Sequence, residues 1–320
     1  MNISVLGCGR WGSFIAWYLS CQKHNVCMWG RNDSKSFLTL KNDKKNEYVS
    51  LKPEIHLTSD LKFAIDVADV IIISISSQGL RSFMGELAQY NLTDKKFILC
   101  MKGLETDTGK RLTEILIDFG INKNNIAIWV GPGHIQSFVQ NKPSCMLIDS
   151  YNPDLTKFFA DNFRSDLIRF YYGDDIIGSE IGAAAKNVIG IAAGMLEGGG
   201  YTSLKGPLMA RGTSEVARLI KKLGGSEHSA YGLCHLGDYE TTLFSDYSHN
   251  KKFGELFVKG QKFDKLAEGV QTAKAMKLLG ERYNVDLPIT NAVCSIIVDG
   301  AEPMQAFLKV FTRSTRKEFM

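Results

Sequence analysis

Residues 181–196 read IGAAAKNVIGIAAGML. Lys186 is the single charge in this run, with Asn187 beside it, and Gly, Ala and Ile flank the pair on both sides. A helix that is apolar around most of its circumference belongs in the middle of a domain. Gly182, Ala183, Gly190, Ala193 and Gly194 leave room for other backbones to come close. A membrane span needs ~20 apolar residues without a central charge, so a buried helix is predicted instead. An ammonium buried without a partner is costly or has its pKa lowered. The competing reading is a lysine that snorkels to water from an exposed stripe, but such a stripe should carry more than one polar residue. Lys186 is therefore read as functional, able to polarise a carbonyl or exchange a proton near neutral pH.

On the N-terminal side of this helix the pattern is that of strands. Residues 2–6 form a β-type run, followed by Gly7-Cys8-Gly9-Arg10-Trp11-Gly12 and an apolar helical run at 14–19. This is G-x-G-x-x-G between a strand and a helix. The first glycine permits the tight turn and the second lets backbone N–H groups reach a pyrophosphate. The third lets helix and strand pack closely, and the helix N-terminus favours the anion. A glycine-rich turn with no ligand is the plain alternative, which the strand–turn–helix context disfavours. The second strand, 25–29, ends in Gly30-Arg31-Asn32, where an NAD site usually shows Asp or Glu ~20 residues past the glycines. Arg31 can accept a 2′-phosphate, so NADP is favoured, while Asp33 keeps NAD open. Otherwise Arg31 is a solvated loop residue.

Residues 32–52 are polar and lysine-rich and read as a helix plus a surface loop. Strands follow at 69–75, 96–101 and 126–130. They end in Ser76-Ser77-Gln78-Gly79, Lys102-Gly103-Leu104-Glu105 and Gly131-Pro132-Gly133-His134. A helix is expected at 109–119. Ligands of doubly wound sheets sit outside the carboxyl ends of the strands, which places Lys102 near a cofactor's reactive end. Strands at 145–148 and 167–171, with a helix at 154–163, extend the sheet. On the C-terminal side, helices are expected at 208–223, 263–283, 288–298 and 304–312. The polar segment from His235 to Gly254 reads as a long functional or mobile connection. Residues 313–317 read as a solvated tail. The composition shift near residue 173 suggests a dinucleotide-binding domain at 1–173 and a helical substrate and catalytic domain at 174–320. The expected fold class is α/β, an N-terminal Rossmann-like doubly wound sheet followed by an all-α C-terminal domain.

Composition narrows the function classes. The 320 residues, 44% of them hydrophobic, suffice for two domains with real cores. A formal charge of +4 is too small to argue for nucleic acid and fits anionic ligands. Gly7 and Gly9 interrupt the first apolar run, so no leader is read there. The seven cysteines are scattered, odd in number and without C-x-x-C spacing. They predict reduced thiols, a cytosolic setting and no zinc site.

Taken in order, these motifs resemble those of the NAD(P)-dependent glycerol-3-phosphate dehydrogenases over nearly the whole chain. The similarity runs through Gly7-x-Gly9-x-Trp11-Gly12, Lys102-Gly103-Leu104-Glu105 and Lys186-Asn187-Val188-Ile189 with its trailing Ala-Ala-Gly. It continues through Met209-Ala210-Arg211-Gly212 to Leu219, then Leu236-Gly237-Asp238 with Thr241-Thr242. It closes with Ser248-x-Asn250, Glu268-Gly269-Val270-x-Thr272 and Leu287-Pro288-Ile289. The resemblance implies reversible reduction of dihydroxyacetone phosphate to sn-glycerol 3-phosphate with NADPH or NADH, supplying phospholipid backbones in the cytoplasm. It implies Lys186 as proton donor and acceptor at the carbonyl oxygen, with Lys102 and Asp238 completing the catalytic set. Lys102, Gly131, Gly133, Asn187, Asp238, Thr242, Ser248, His249 and Asn250 would surround the substrate. Gly7, Gly9, Arg10, Trp11, Gly12, Arg31, Lys102, Ile135, His249 and Glu268 would hold the cofactor. No metal, nucleic acid or stable membrane insertion is implied. The oligomeric state stays open, a homodimer being one option.

Two positions depart from the family pattern. Where bacterial members read G-P-S-F-A, this chain reads Gly131-Pro132-Gly133-His134-Ile135, so the hydroxyl is absent and only the backbone or His134 could replace it. Where they read S-R-N, it reads Ser248-His249-Asn250, so the arginine that meets substrate phosphate and cofactor is missing. A histidine there is charged only below its pKa, ~6.5 when unperturbed. Two other readings remain open at this point. One is a two-domain reductase of another phosphorylated ketone or a 2-hydroxy acid, and the other is a dinucleotide sensor whose substrate site has decayed.

Overall fold

The computed structural model describes residues 1–314, 317 and 318, so Thr315 and Arg316 of the expected tail lie outside the described residues. Eight strands form one sheet: β1 (Asn2–Leu6), β2 (Asn25–Trp29), β3 (His56–Thr58), β4 (Val70–Ile73), β5 (Lys96–Leu99), β6 (Ile126–Val130), β7 (Ser144–Ser150) and β8 (Ile168–Tyr172). Their order is β3-β2-β1-β4-β5-β6-β7-β8. Every pair is parallel except β6 with β7. The runs VIII in β4 and IAIWV in β6 are buried at every position, as strands covered on both faces should be. The covering helices are α1 (Arg10–Cys21), α2 (Lys35–Asp43), α3 (Leu61–Asp66), α4 (Leu80–Leu87), α5 (Leu112–Asp118), α6 (Ile135–Phe138) and α7 (Pro153–Phe163). Phe14, Tyr18, Trp129 and Phe163 anchor one apolar cluster, and Trp29, Phe83 and Leu116 another. The strand order reverses between β1 and β4, which opens a crevice at their carboxyl ends.

After β8 the described chain is helical: α8 (Ile176–Gly198), α9 (Lys205–Lys222), α10 (His249–Val258), α11 (Glu268–Tyr283), α12 (Pro288–Ile297) and α13 (Pro303–Phe311). α8 is long and apolar enough to cross a membrane, yet its most apolar window is 94% buried inside the protein. It is the core helix that residues 181–196 predict. Its glycines form a seam with α10. A Cβ on Gly194 would lie 1.9 Å from the Lys251 carbonyl oxygen, and one on Gly254 would lie 2.1 Å from the Ile191 carbonyl oxygen. The two backbones therefore touch. Glu215 of α9 ties down α12: its buried carboxylate accepts from the backbone N–H groups of Ile289 and Thr290 at 2.8 and 2.9 Å, which suits the positive end of a helix.

The structure corrects the segment reading in three places. Residues 249–254 are not part of a connection but the first turns of α10, whose buried residues are Lys251 and Gly254. Strand β3 and helix α3 are too short for a periodic signal and were not anticipated. Arg313 of the expected solvated tail pairs with Asp286 at 2.8 Å. The glycine seam generates a stability prediction. Gly194→Ala should push α10 off α8 and destabilise the protein by ~1–3 kcal/mol, the scale of overpacking. Gly85→Ala, in α4 with no atom within 4 Å of the new Cβ, should be neutral or stabilising by up to ~1 kcal/mol. Urea unfolding midpoints compare the two, and equal midpoints would show that the seam does not set the α8–α10 distance.

Candidate active site

A cavity of about 690 Å³ opens at the carboxyl ends of β1, β4, β5 and β6, and residues of α8, α10 and α11 face it from the helical half. The three glycines of the first turn divide the work. Gly7 has φ +128°, and a Cβ on it would meet the Ser74 carbonyl oxygen at 2.2 Å. A Cβ on Gly12 would meet the Gly7 carbonyl oxygen at 2.1 Å, whereas one on Gly9 would meet nothing within 4 Å. Gly7 and Gly12 are therefore fixed by packing, and Gly9 leaves the room that a pyrophosphate needs. α1 begins at Arg10 with no acidic residue in its first turn, so its positive end faces the cavity uncompensated. Arg10 lines the cavity, 6.0 Å from the Tyr48 ring centroid. Trp11 stacks on Phe14 at 5.2 Å, and its indole N–H has no partner. These features fit a bound dinucleotide.

Arg31 lines the mouth of the cavity and donates to Glu86 at 2.8 Å, with both side chains exposed. Glu268, at the start of α11, accepts from the Ser77 backbone N–H at 3.3 Å and from the Ser77 hydroxyl. Asn250 accepts from the Gly269 backbone N–H at 2.9 Å and so fastens α10 to α11. Ser248 caps α10 by accepting from the Lys251 N–H at 3.3 Å. The His249 ring lies 3.3 Å from the Leu266 carbonyl and edge-on to Phe263. Burial, then Arg10, holds its pKa below the ordinary value. Without a bound anion it therefore carries less positive charge than an arginine at this position would. The Ile135 side chain is buried in the apolar core and does not line the cavity, which leaves its backbone for any contact with a cofactor. A side chain at Gly133 would meet the buried Phe138 ring at 2.5 Å, so glycine fits where the resemblance has serine.

The centre is ionic. Lys186 is only 7% exposed, which removes the snorkelling reading. The Nζ atoms of Lys102 and Lys186 each lie 2.7 Å from the same oxygen, Oδ2 of Asp238. Lys102 also donates to the Gly131 carbonyl at 2.7 Å, and Asn187 donates to the Lys102 carbonyl at 3.2 Å. Lys186 donates to the Thr242 hydroxyl at 2.8 Å, which itself donates to the Asp238 carbonyl at 2.7 Å. The Thr241 hydroxyl donates to the other Asp238 carboxylate oxygen. Residues 240–244 coil as a π-helical turn, a rare form common at functional sites, and this lets neighbouring threonines serve the carboxylate and the lysine.

Burial pushes the Lys186 ammonium down to about 7; Asp238 opposes the shift and Lys102 adds to it. Burial alone would raise the Asp238 carboxyl, but the two ammoniums outweigh it and hold it below its usual range. Two cations sharing one anion leave a positive surplus, which suits an anionic ligand. A lysine poised near neutrality can both give and take a proton. Thr241, Tyr48 and Tyr247 also belong to the site. The Thr-Thr pair was visible in the sequence without a role for its first member. The two tyrosines carry no sequence signal.

Comparisons with known proteins identify the family. Residues 2–156 match the family model of the NAD-dependent glycerol-3-phosphate dehydrogenase N-terminus, and residues 175–308 match that of its C-terminus. The glycerol-3-phosphate dehydrogenase (NAD(P)+) of Thermoanaerobacter sp. (strain X514) is 32% identical over 330 residues, 99% of either chain. That of Prosthecochloris aestuarii is 33% identical across 99% of this chain and 100% of its own. Among solved structures, the glycerol-3-phosphate dehydrogenase of Coxiella burnetii has a TM-score of 0.87 and covers 98% of this chain and 99% of its own; at 22% identity that likeness speaks for the fold. With both halves and the full length of these relatives matched, the chain belongs to the NAD-dependent glycerol-3-phosphate dehydrogenase family.

Proposed function

We propose that this protein reversibly reduces dihydroxyacetone phosphate to sn-glycerol 3-phosphate with NADPH or NADH. In this reading, residues 1–173 bind the dinucleotide and residues 174–320 supply the substrate and proton-transfer groups. The observation that carries it is the Lys102–Asp238–Lys186 cluster, set in the cavity that the glycine turn also lines. When bound, the nicotinamide supplies or accepts the hydride. The chain's residues do the rest. Protonated Lys186 stabilises the developing alkoxide and passes its proton to that oxygen. Lys102 adds positive charge beside it, and Asp238 keeps both ammoniums in place. The N-terminus of α10, with Ser248 and Asn250, offers backbone N–H groups to the substrate phosphate. Gly9 and the N-terminus of α1 take the pyrophosphate, and Arg31 takes the 2′-phosphate once it leaves Glu86. An intact ionic centre favours this reading over a sensor with a decayed site. We place the reaction in the cytoplasm, feeding glycerophospholipid synthesis; seven unpaired thiols support a reducing compartment.

The direct test follows NADPH and NADH oxidation with dihydroxyacetone phosphate and a panel of 2-keto acids. Turnover of dihydroxyacetone phosphate supports the reading, and cofactor binding without turnover of any ketone sinks it. Lys186→Met should leave the fold and NADPH binding intact and lower kcat by at least ~100-fold. Because burial moves Lys186 from 10.5 to about 7, its charged form is lost as pH rises through about 7. For the parent, kcat/KM should therefore fall above that pH for ketone reduction and rise for sn-glycerol 3-phosphate oxidation. Parallel profiles in the two directions would contradict the role. Arg31→Ala should weaken NADPH binding by ~10-fold or more and leave NADH binding nearly unchanged, the scale of one hydrogen-bonded charge contact. Equal losses for both would show that Arg31 does not read the 2′-phosphate.

A further inference from the structure

Four buried side-chain polar atoms among the described residues lack a hydrogen-bond partner: Trp11 Nε1, Ser20 Oγ, His134 Nε2 and Thr156 Oγ1. Two of them, on Trp11 and His134, belong to side chains that line the active-site cavity. Buried polar atoms are nearly always paired, because leaving one unpaired forfeits its hydration. An unpaired atom, closed off from water on a side chain that lines a cavity, therefore points to a ligand group that pairs with it once that wall adjusts. We infer that the His134 imidazole donates a hydrogen bond to the phosphate of the substrate, serving in place of the hydroxyl that Gly133 lacks. This rests on the function proposed above.

Three observations support the placement. His134 starts α6 with extended backbone, and its carbonyl accepts from the N–H groups of Ser137 and Phe138 at 3.0 and 3.1 Å. The ring therefore springs from a fixed point at the carboxyl end of β6. Its electrostatic neighbours are Lys186, Asp238, Arg10 and Lys102, three cations to one anion, which is the surrounding an incoming phosphate would seek. Tyr247 packs edge-on against the ring at 5.4 Å and, being 52% exposed, can move aside as the phosphate enters. Burial, then Lys186, holds the imidazole at about 4. It is neutral at working pH, so it contributes a donor without adding a further cation to the crowded centre. The steric reason is local too. Phe138 fills the space that a side chain at Gly133 would need, so the hydrogen-bonding group stands one residue further on.

The experiment compares the parent, His134→Phe, His134→Met and His134→Gln. The glutamine keeps an N–H donor near the position of Nε2, and the other two remove it. KM and kcat are measured with dihydroxyacetone phosphate, and the NADPH Kd by fluorescence titration, which also reports that each variant is folded. We expect the apolar variants to raise KM by ~10- to 100-fold, the range for one hydrogen bond to a charged group. Their kcat and NADPH Kd should stay within about 3-fold of the parent. His134→Gln should recover most of the loss. An unchanged KM in a folded apolar variant overturns the inference, as does an equal rise in the NADPH Kd, which would assign the histidine to the cofactor. Failure of glutamine to rescue a raised KM overturns it as well, since the ring would then act by shape alone. A parent inactive on dihydroxyacetone phosphate overturns the substrate reading itself, and the parent's own assay separates that outcome from the others.

Discussion

The carboxylate of Asp238 holds two ammoniums that would otherwise repel each other in a buried space. It is fully buried, and one of its oxygens meets both Lys102 and Lys186. Breaking a buried pair by deleting one partner commonly costs ~3–5 kcal/mol, because the remaining charge is left uncompensated. Here two charges would be stranded. The carboxylate is itself held from behind. His235 lies 2.9 Å from the Gly182 carbonyl through Nδ1 and 2.7 Å from the Tyr239 hydroxyl through Nε2. This pins the backbone on either side of Asp238. His235 and His134 are both kept neutral by burial, but the first has both ring nitrogens engaged and the second has a buried Nε2 without a partner. Burial alone does not decide whether a histidine's polar atoms are satisfied; its partners do.

The position of α10 depends on what is missing from α8. Glycines at 194 and 198 let α10 approach until backbones touch, Gly254 answers from the other side, and Gly190 makes room for Thr242. That contact carries Ser248, His249 and Asn250 to the cavity. Glu197, the penultimate residue of α8, receives Lys251 at 3.1 Å and also pairs with Lys205. The polar face of α10 is thus fastened to the same helix that supplies Lys186.

Much of this was readable in the residues because the signals were periodic or local. Buried parallel strands write continuous apolar runs, as in DVIIISI, and the glycine turn writes its spacing. Lys186 stood out as one charge in an apolar field. What failed to show had no apolar period to read. The fully buried positions of α10 are Lys251 and Gly254, seated against the α8 backbone, so the seam itself carries no hydrophobic mark. β3 is three residues of a sheet edge. The partners of Arg31 and His249 depend on Glu86 and Leu266, far away or on another element. At Ile135 the motif marks a backbone position, and the side chain itself packs into the core at the start of α6. Motif spacing places a backbone; only packing decides where the side chain points.

One buried contact bears on how the chain is made. Arg111, just before α5, donates to Glu180 of α8 at 2.9 Å, and the Thr113 backbone N–H meets the same carboxylate at 3.0 Å. Asp149 of β7 likewise accepts from Ser179 at 2.7 Å. On the ribosome, the sheet emerges before residues 179 and 180. Until then Arg111, Thr113 and Asp149 lack their final partners and must keep water. Chains synthesised in this direction tend to fold their N-terminal portions first. The first half thus completes the partners of these polar groups only with the first turns of α8, which ties its buried polar contacts to the first residues of the second half.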